Sequence, residues 1–299
     1  MKPWPQLKYD DWADTAQTLH MWTQVLGKIQ MAKAPPVNHW WHVTLHVSSR
    51  GLATAAIPSG TGTFEIVLDF AGHRLRIDTT EGDGRDFALR PMTVADFYQR
   101  VMTALGELGL SVEINTTPSE VAEPIPFEQD MKHRSYDPEA AARFWRVLVD
   151  SCHVFSRFRS DFLGKVSPVH FFWGAMDLAI TRFSGREAPL HPGAPGLPLP
   201  VVREAYSHEV CSAGFWPGGN GFDAAFYVYA YPEPAGFAEA RVKPAEAFYS
   251  SDLREFLLPY EAVRTSASPG DTLMDFLQST YDAAADLGKW DRAALERKK

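Results

Sequence analysis

The chain has 299 residues, of which 45% are hydrophobic, so it is long enough for one large domain or two of ordinary size with a substantial core. Its formal net charge is −8, and its 29 lysine and arginine residues are scattered without a basic run, which argues against a nucleic-acid partner. The two cysteines, Cys152 and Cys211, lack C-x-x-C spacing, which argues against a zinc ribbon or a disulfide framework.

The first predicted element is an amphipathic helix. Asp10 or Asp11 is the expected N-cap, and apolar residues recur at steps of three and four from Trp12 to Ile29. Proline lacks the amide hydrogen and disfavours helical geometry in the residue before it, so the helix is expected to end at Ala34-Pro35-Pro36.

Strands are predicted to follow this helix. Residues 39–48 have the alternation of a first strand, and shorter alternating runs come after it, separated by Gly-rich or Asp-Gly turns. These runs cover residues 52–57, 64–70, 73–79 and 85–89, which is typical of an antiparallel meander. A helix capped by Thr93 and ended by Gly109 closes this part, and residues 111–115 are a candidate for one more strand.

The second part of the chain is predicted to repeat this scheme. Asp137-Pro138 has the form of an N-cap followed by proline at the first helical position, and this helix should run to about Phe162. A long strand is expected from His170 to Thr181, followed by an inserted loop rich in proline and glycine, Glu187 to Pro200. Further strands are expected over residues 208–216, 225–231 and 256–263, and a closing helix over 271–287.

An internal repeat supports this division. Asp96-Phe97-Tyr98-Gln99 with Ala104, Leu108 and Gly109 returns, with the same spacing, as Asp275-Phe276-Leu277-Gln278 with Ala283, Leu287 and Gly288. We therefore predict an α+β fold built as a tandem pseudo-symmetric duplication of a helix, antiparallel sheet, helix unit. The first unit is residues 1–117, the connector is 118–136, and the second unit is 137–299 with the inserted loop 187–200. Such folds place a ligand site at the seam or keep it in one copy.

The densest polar and aromatic cluster is Asn38-His39-Trp40-Trp41-His42, with His46 close behind it. On a strand His42 and His46 would share a face about 13 Å apart, at roughly 3.3 Å per residue, and His39 and His42 would face opposite sides. These histidines cannot chelate one ion by themselves, so we predict no metal site. His42 and His46 are metal candidates only if a neighbouring strand supplies further ligands, for instance His208 and Glu209.

The stretch Tyr206-Ser207-His208-Glu209-Val210-Cys211 places a hydroxyl, an imidazole and a carboxylate next to a thiol. Adjacent residues on a strand face opposite sides, so Ser207 and His208 cannot form a local pair for acyl transfer. His208 and Glu209 are the catalytic candidates, as an acid, a base or a polar anchor in a cavity between the copies.

Asp177 lies in the middle of the otherwise apolar strand predicted in the second unit. A carboxylate there costs free energy unless it is paired, so Arg50 or Arg182 is the expected partner. A structural ion pair and a catalytic carboxylate both stay open.

Aromatic residues at strand starts and ends are the remaining signal. Trp216 stands beside the glycine turn Pro217-Gly218-Gly219, where a ligand could stack, although core packing is the competing interpretation. The ligand-binding candidates at the seam are His39, His170, Trp173 and Trp216.

The stretches LGKIQMAKAPPVNHWWHV, GKVSPVHFFWG, REAYSHEVCSAGFWPGG and FYVYAYPEPAGF resemble a family of uncharacterised bacterial proteins, the domain of unknown function five-nine-nine-six. The resemblance spans nearly the whole chain and implies a bacterial protein of about this length. It implies no activity, cofactor or catalytic residue.

We therefore predict a small-molecule-binding protein or an enzyme with a pocket between the two repeat units. The alternative is a non-catalytic adaptor that holds a protein partner on its sheet face or on the inserted loop. The N-terminus lacks the pattern of a signal peptide, and no stretch approaches the roughly 20 apolar residues of a membrane helix, so we expect a cytoplasmic protein without a membrane partner. Nucleotide, dinucleotide and hydrolase motifs are missing, so neither a reaction nor a cofactor is predicted.

Overall fold

Two six-stranded antiparallel sheets with long helices packed against them form the protein in a computed structural model, which describes residues 3–194, 196–219 and 221–298. The predicted α+β class is confirmed. No helix in this described part of the chain is long and apolar enough to cross a membrane.

The first half has the order helix, sheet, helix. It begins with α1, Ala13–Lys33, and ends with α2, Val94–Glu107, where Thr93 Oγ1 accepts a hydrogen bond from the Asp96 backbone N–H at 3.0 Å. The strands between them are β1 His46–Val47, β2 Gly51–Ala53, β3 Ile57–Ser59, β4 Gly62–Asp69, β5 Arg74–Thr79 and β6 Gly84–Ala88. They lie in the order β1-β2-β4-β5-β6, with β3 paired to β4, which confirms the predicted meander.

The second half repeats that order of elements. Asp137 caps its first helix by accepting hydrogen bonds from the backbone N–H groups of Glu139 and Ala140. Its elements are α3 Pro138–Ser160, β7 His170–Phe172, β8 Asp177–Glu187, α4 Leu199–Ala205, β9 His208–Trp216, β10 Ala225–Tyr231, β11 Phe248–Ser250, β12 Glu255–Pro259, α5 Tyr260–Arg264, α6 Pro269–Leu287 and α7 Arg292–Leu295. The sheet has the order β11-β12-β10-β9-β8-β7.

The two faces of the second sheet have different surroundings. Alternate residues of a strand point to opposite sides. One side packs against α3 and α6 and is mostly apolar: Leu178, Ile180, Ala213, Phe215, Phe226 and Val228 are all buried there, together with Arg182. The other side faces the first half of the chain, and it carries the polar residues described below.

The sheets meet edge to edge at a single antiparallel bridge between Leu45 and Phe171. The Leu45 N–H donates to the Phe171 carbonyl at 2.9 Å, and the Phe171 N–H donates to the Leu45 carbonyl at 2.7 Å. Both residues are completely buried. The first strands of the two halves therefore lie side by side at the seam.

The strand predicted over residues 39–48 is wrong for most of its length. Residues Asn38–Val43 form tight helical turns, and His39 and Trp40 have left-handed backbones with φ of 59° and 61°. The chain reverses here between α1 and β1, which a straight strand would not allow. The alternation of faces used to judge His42 and His46 therefore does not apply.

The long strand predicted from His170 to Thr181 is also wrong. The chain turns back at residues 173–176, where Met176 has a φ of 60°, and β7 pairs antiparallel with β8. Asp177 therefore begins a strand, opposite Phe172, and does not lie in the middle of one.

Smaller differences occur at other predicted boundaries. Asp10 and Asp11 lie in a short helical turn before α1, whose preceding residue is Trp12. Residues 111–115 form no strand, and the strand predicted to end at Val263 continues as α5 after Pro259.

Helix α1 is the central helix and not a surface one. Its polar side is buried as well as its apolar side, and it meets backbone groups there. The Gln30 side chain, for example, donates to the carbonyls of His42 and Thr44 and accepts from the Ala55 N–H. Polar residues on a helix therefore need not mark solvent when the neighbouring segment offers unpaired backbone groups.

The close approach of α1 to the second half depends on Gly27, because a β-carbon there would overlap the indole of Trp173. We expect Gly27→Ala to lower the free energy of unfolding by about 1–3 kcal/mol, the usual cost of overpacking. Gly106→Ala is the matched control, since it is also helical and has open space around it. It should stabilise by up to about 1 kcal/mol through helix propensity. Urea denaturation measures both, and equal effects of the two substitutions would contradict this packing.

Candidate ligand cavity

A cavity of about 460 Å³ lies between the second sheet and segments of the first half and connector. The covering segments contribute Lys28 and Met31 of α1, residues 39–41 and 43, and Asn115, Ser119 and Glu120. The sheet contributes Asp177, Ala179, Thr181, Phe183, Val210, Ser212, Tyr227 and Tyr229. Residues 172–175, 197, 198, 201, 205 and 206 complete the wall.

The cavity has a closed end and an open end. Ala179, Phe183 and Ser212 on the sheet are buried, and they form the closed end. Glu120 and Pro198 are exposed, and they stand at the mouth. A ligand would therefore enter between the connector and the inserted loop.

Hydroxyl groups cover much of the sheet side. Thr181 Oγ1 and Ser212 Oγ, on neighbouring strands, are hydrogen-bonded at 2.9 Å. The hydroxyls of Tyr206 and Tyr229 are also 2.9 Å apart, and burial raises the pKa of both phenols. These groups are neutral hydrogen-bonding partners at ordinary pH.

Asp177 is held by a tyrosine from two strands away. The Tyr227 hydroxyl donates a hydrogen bond to Asp177 Oδ2, and its ring crosses β9 to do so. Gly214 of β9 makes this crossing possible, because a β-carbon there would overlap the Tyr227 ring. Asp177 is only 8% exposed, and burial raises the pKa of its carboxyl to about 6, although the Tyr227 hydrogen bond opposes the rise.

Glu120 is the second acid of the cavity. Its backbone has a φ of 57°, and its carboxyl rests on Gly174, where a β-carbon would overlap it. Burial of the carboxyl raises the pKa of Glu120 to about 7, and the charge of Asp177 adds to the rise. The residue as a whole is exposed at the mouth, so the packing around its carboxyl is what sets its ionisation.

Helix α1 holds the connector beside this acid. The Gln24 side chain accepts from the Ser119 N–H at 2.8 Å and donates to the Ser119 carbonyl at 2.9 Å. One turn further along, Lys28 Nζ donates to Ser119 Oγ at 3.2 Å and lies 5.8 Å from the centre of the Trp173 ring. Lys28 is 3% exposed, and burial lowers the pKa of its ammonium group.

His39 closes the cavity on another side. Its Nδ1 donates to the carbonyls of Glu204 and Ala205, so Nε2 carries the lone pair that accepts from Lys165 Nζ at 2.5 Å. Burial, with the Lys165 charge next in effect, lowers the pKa of His39. The imidazole is therefore neutral, and its contact with α4 holds the left-handed turn at residues 39 and 40.

The structure brings together two of the predicted ligand-binding residues, His39 and Trp173, which both line the cavity. His170 lies behind the wall, 1% exposed, with Nδ1 donating to Thr44 Oγ1 at 3.1 Å. Burial lowers the pKa of His170 to about 3. Trp216 lies elsewhere, against Phe222 and the Gly219 turn.

The two catalytic candidates are not among the residues that line the cavity. His208 Nδ1 is hydrogen-bonded to Ser207 Oγ at 3.0 Å, so the prediction that these two residues cannot form a local pair is wrong. Ser207 precedes β9, and the alternation of faces along a strand therefore does not apply to it. The ring centre of His208 is 6.2 Å from that of His39. Glu209 faces the other side of β9 and pairs with Arg186 at 2.6 Å. A catalytic role for His208 and Glu209 stays a prediction, because neither residue lines the cavity.

The metal candidates do not gather ligands. His42 Nδ1 accepts from the Val37 N–H at 3.2 Å, while burial lowers the pKa of His46. Within residues 3–194, 196–219 and 221–298, no group of three or more histidine, cysteine, aspartate or glutamate side chains could hold a metal ion.

The arginine partners predicted for Asp177 are wrong. Arg50 pairs with Asp69 at 2.5 Å. Arg182 lies on the helix side of β8, where its guanidinium stacks on Phe158 and Tyr281 and donates to the Phe158 carbonyl. Asp177 faces the opposite side, because the two residues are five apart on one strand.

Sequence reasoning missed Glu120, Lys28 and the tyrosines as cavity residues. Tyr227, Tyr229 and Tyr231 alternate along β10, and this spacing could have indicated a polar sheet face. No comparable signal marked Glu120, which lies in an irregular connector, or Lys28, which interrupts an apolar helix.

The model of one protein family, described as "Family of unknown function (DUF5996)", matches residues 4–297. No curated protein and no solved structure matches the chain.

The raised pKa of Asp177 predicts a specific dependence of stability on pH. The pKa of this carboxyl is about 6 in the folded protein, against an ordinary value of 3.8. The free energy of unfolding therefore falls as the pH rises from about 4 to about 6, because the unfolded chain loses this proton more readily than the folded protein does. Asp177→Asn removes this cost and still accepts from Tyr227. Its advantage over the wild type should therefore grow by about 2 kcal/mol between pH 4.5 and pH 8.

Urea denaturation at both pH values measures this difference. Asp252→Asn is the control, because it removes an equal charge from an exposed turn. An advantage of Asp177→Asn that is the same at both pH values, or that falls as pH rises, would refute the buried ionisation.

Proposed function

Because the chain belongs to the family of unknown function DUF5996, we propose a function from its geometry: the protein binds a small organic molecule in the cavity between its two halves. The observation that carries the proposal is a space of about 460 Å³ whose wall holds two acids, neither of which has a cationic partner among the residues that the structure describes. Cavities that bind small organic molecules have volumes of a few hundred Å³ and a few convergent polar groups in a largely apolar wall.

The energetics favour a functional origin for this space. Protein interiors are packed to about the density of organic crystals, and a buried carboxyl without a charge partner costs free energy. A cavity that contains the carboxyls of Asp177 and Glu120 is therefore a destabilising feature of the fold. Such a cost is expected where a ligand supplies the missing contacts.

The wall also indicates the shape of the ligand. Aromatic side chains from both halves of the chain stand around the space, and they are Trp40, Trp41, Phe172, Trp173, Phe183, Tyr206, Tyr227 and Tyr229. Rings of this kind bind flat apolar groups by stacking and by edge-to-face contact. We therefore infer a ligand with a planar or aromatic body.

The proposal includes an origin by duplication and a location in the bacterial cytoplasm. The repeated pattern around Asp96 and Asp275 and the recurrence of helix, antiparallel sheet and helix support the duplication. The resemblance to a family of bacterial proteins supports a bacterial origin.

Filling the cavity with a larger side chain should weaken ligand binding strongly without unfolding the protein. Ala179 lines the closed end and is 3% exposed, so Ala179→Phe places a ring inside the space. We expect neutral aromatic compounds that raise the melting temperature of the wild type to bind this variant at least about ten-fold more weakly. Thermal-shift measurements over such a library, followed by calorimetric titration, test this.

Ala235→Phe is the matched control, because it adds the same ring at an exposed position and should keep wild-type affinities. Circular dichroism verifies that both variants are folded. If the same compounds stabilise Ala179→Phe and the wild type equally, or if none stabilises the wild type, the proposed binding function is wrong.

A further inference from the structure

We infer that the ligand is amphoteric: an aromatic body that carries both an amine cation, held by Glu120 and Asp177, and an anionic group, held by Lys28. This inference rests on the proposed function and specifies the ligand of the same cavity. It follows from where the charges of the wall lie and from what they lack.

The acidic end lacks a counter-charge. In the described part of the chain, no lysine, arginine or histidine nitrogen lies within 4.0 Å of a carboxylate oxygen of Glu120 or Asp177. The carboxylate of Asp177 accepts a hydrogen bond from the neutral Tyr227 hydroxyl. Aromatic faces surround these acids, and such faces attract organic cations. An ammonium group would satisfy the acids and the rings together.

The basic end lacks a counter-charge as well. Lys28 Nζ donates to the neutral Ser119 Oγ, and no carboxylate lies within 4.0 Å of it among residues 3–194, 196–219 and 221–298. A lysine that is 3% exposed without an ion pair is rare, because burial of an ammonium group costs free energy. An anionic ligand group would supply the missing charge.

Trp173 lies close to both the basic and the acidic residues of the wall. Lys28 Nζ lies 5.8 Å from the centre of its ring, and the Glu120 carboxyl rests on Gly174, the next residue. A flat body stacked on Trp173 would therefore bring a side chain that carries both charges close to the ammonium group of Lys28 and to the acids. Because the lysine and the acids do not pair with each other, both stay free for the ligand.

The other titratable groups around the cavity are two histidines, three tyrosines, Glu255 and Lys165. The pKa of His39 is lowered by burial, and that of His20, behind Gly174, is lowered by burial as well. The pKa values of Tyr206, Tyr227 and Tyr229 are raised by burial. Glu255 lies behind Tyr229 and has a pKa raised to about 7 by burial and by Asp177. Lys165 is engaged with His39.

Four compounds with one ring system test the inference. The first, 3-methylindole, is the uncharged aromatic body. Tryptamine adds an amine, 3-indolepropionate adds a carboxylate, and tryptophan adds both. We expect calorimetric titration at pH 8 to give tryptophan an affinity at least about ten-fold higher than either singly charged compound, because each unpaired protein charge costs on the order of one tenfold step. Binding of tryptamine should weaken as the pH falls from 8 to 5.5, while that of 3-methylindole should not change.

Substitutions distinguish the contribution of the acids from that of the lysine. Glu120→Gln should weaken tryptamine binding at least five-fold and leave 3-indolepropionate unchanged. Lys28→Met should do the reverse, and Ser119→Ala, which removes the hydroxyl beside the ammonium group, serves as a second variant if Lys28→Met does not fold. Asp177→Asn should follow Glu120→Gln.

Each outcome decides the inference. Charge-specific losses in the expected variants support it. If 3-methylindole binds as tightly as the charged compounds, or if Glu120→Gln and Lys28→Met weaken all four equally, the amphoteric ligand is refuted while the proposed binding function stands. If none of the four binds, the inference also fails, and the neutral library with Ala179→Phe decides the proposed function separately.

Discussion

The pair of backbone hydrogen bonds between Leu45 and Phe171 is the constraint on which the rest of the structure depends. A sheet edge with unpaired N–H and C=O groups cannot be buried, and here the first strand of each half satisfies the edge of the other. The seam is extended on both sides of this bridge, because Trp173 Nε1 donates to the Val43 carbonyl at 2.7 Å and His170 pairs with Thr44. The six residues of these three contacts thus fix the angle between the halves, and α1 is placed over the second sheet as a result.

The cavity is a consequence of that placement. One face of the second sheet is mostly apolar and packs against its own helices, whereas the other bears Asp177, Thr181, Ser212, Tyr227 and Tyr229. An isolated half would turn this polar face to water, as antiparallel sheets commonly do. The first half covers it instead, so that hydroxyls and carboxyls become enclosed. The covering segments touch the sheet at the rim of the space and not across it, which leaves the acids short of partners.

Local signals predicted those parts of the fold in which local forces decide the structure. Asp137-Pro138 and Thr93 begin helices as expected, because capping needs only neighbouring residues, and β10 matches its predicted bounds because its alternation is undisturbed. The failures occur where distant contacts override a local preference. His39 adopts a left-handed backbone although β-structure suits its sequence, since Glu204, Ala205 and Lys165 hold its ring. Likewise, Asp177 accepts a hydrogen bond from Tyr227 only because Gly214, remote in the sequence, leaves room for the Tyr227 ring. No local sequence pattern indicates such a contact.

The position of Glu120 shows why the connector matters more than its irregular sequence indicates. Its neighbour Ser119 is fixed to α1 by both hydrogen-bonding groups of Gln24, while its own carboxyl rests on Gly174 in the turn between β7 and β8. Asp177 begins the strand after that turn. The two acids therefore belong to different bodies of the fold, one attached to the central helix and the other to the second sheet. A ligand that contacts both would tie the helix to the sheet beside the seam, because Trp173, which donates to the Val43 carbonyl, is adjacent to Gly174.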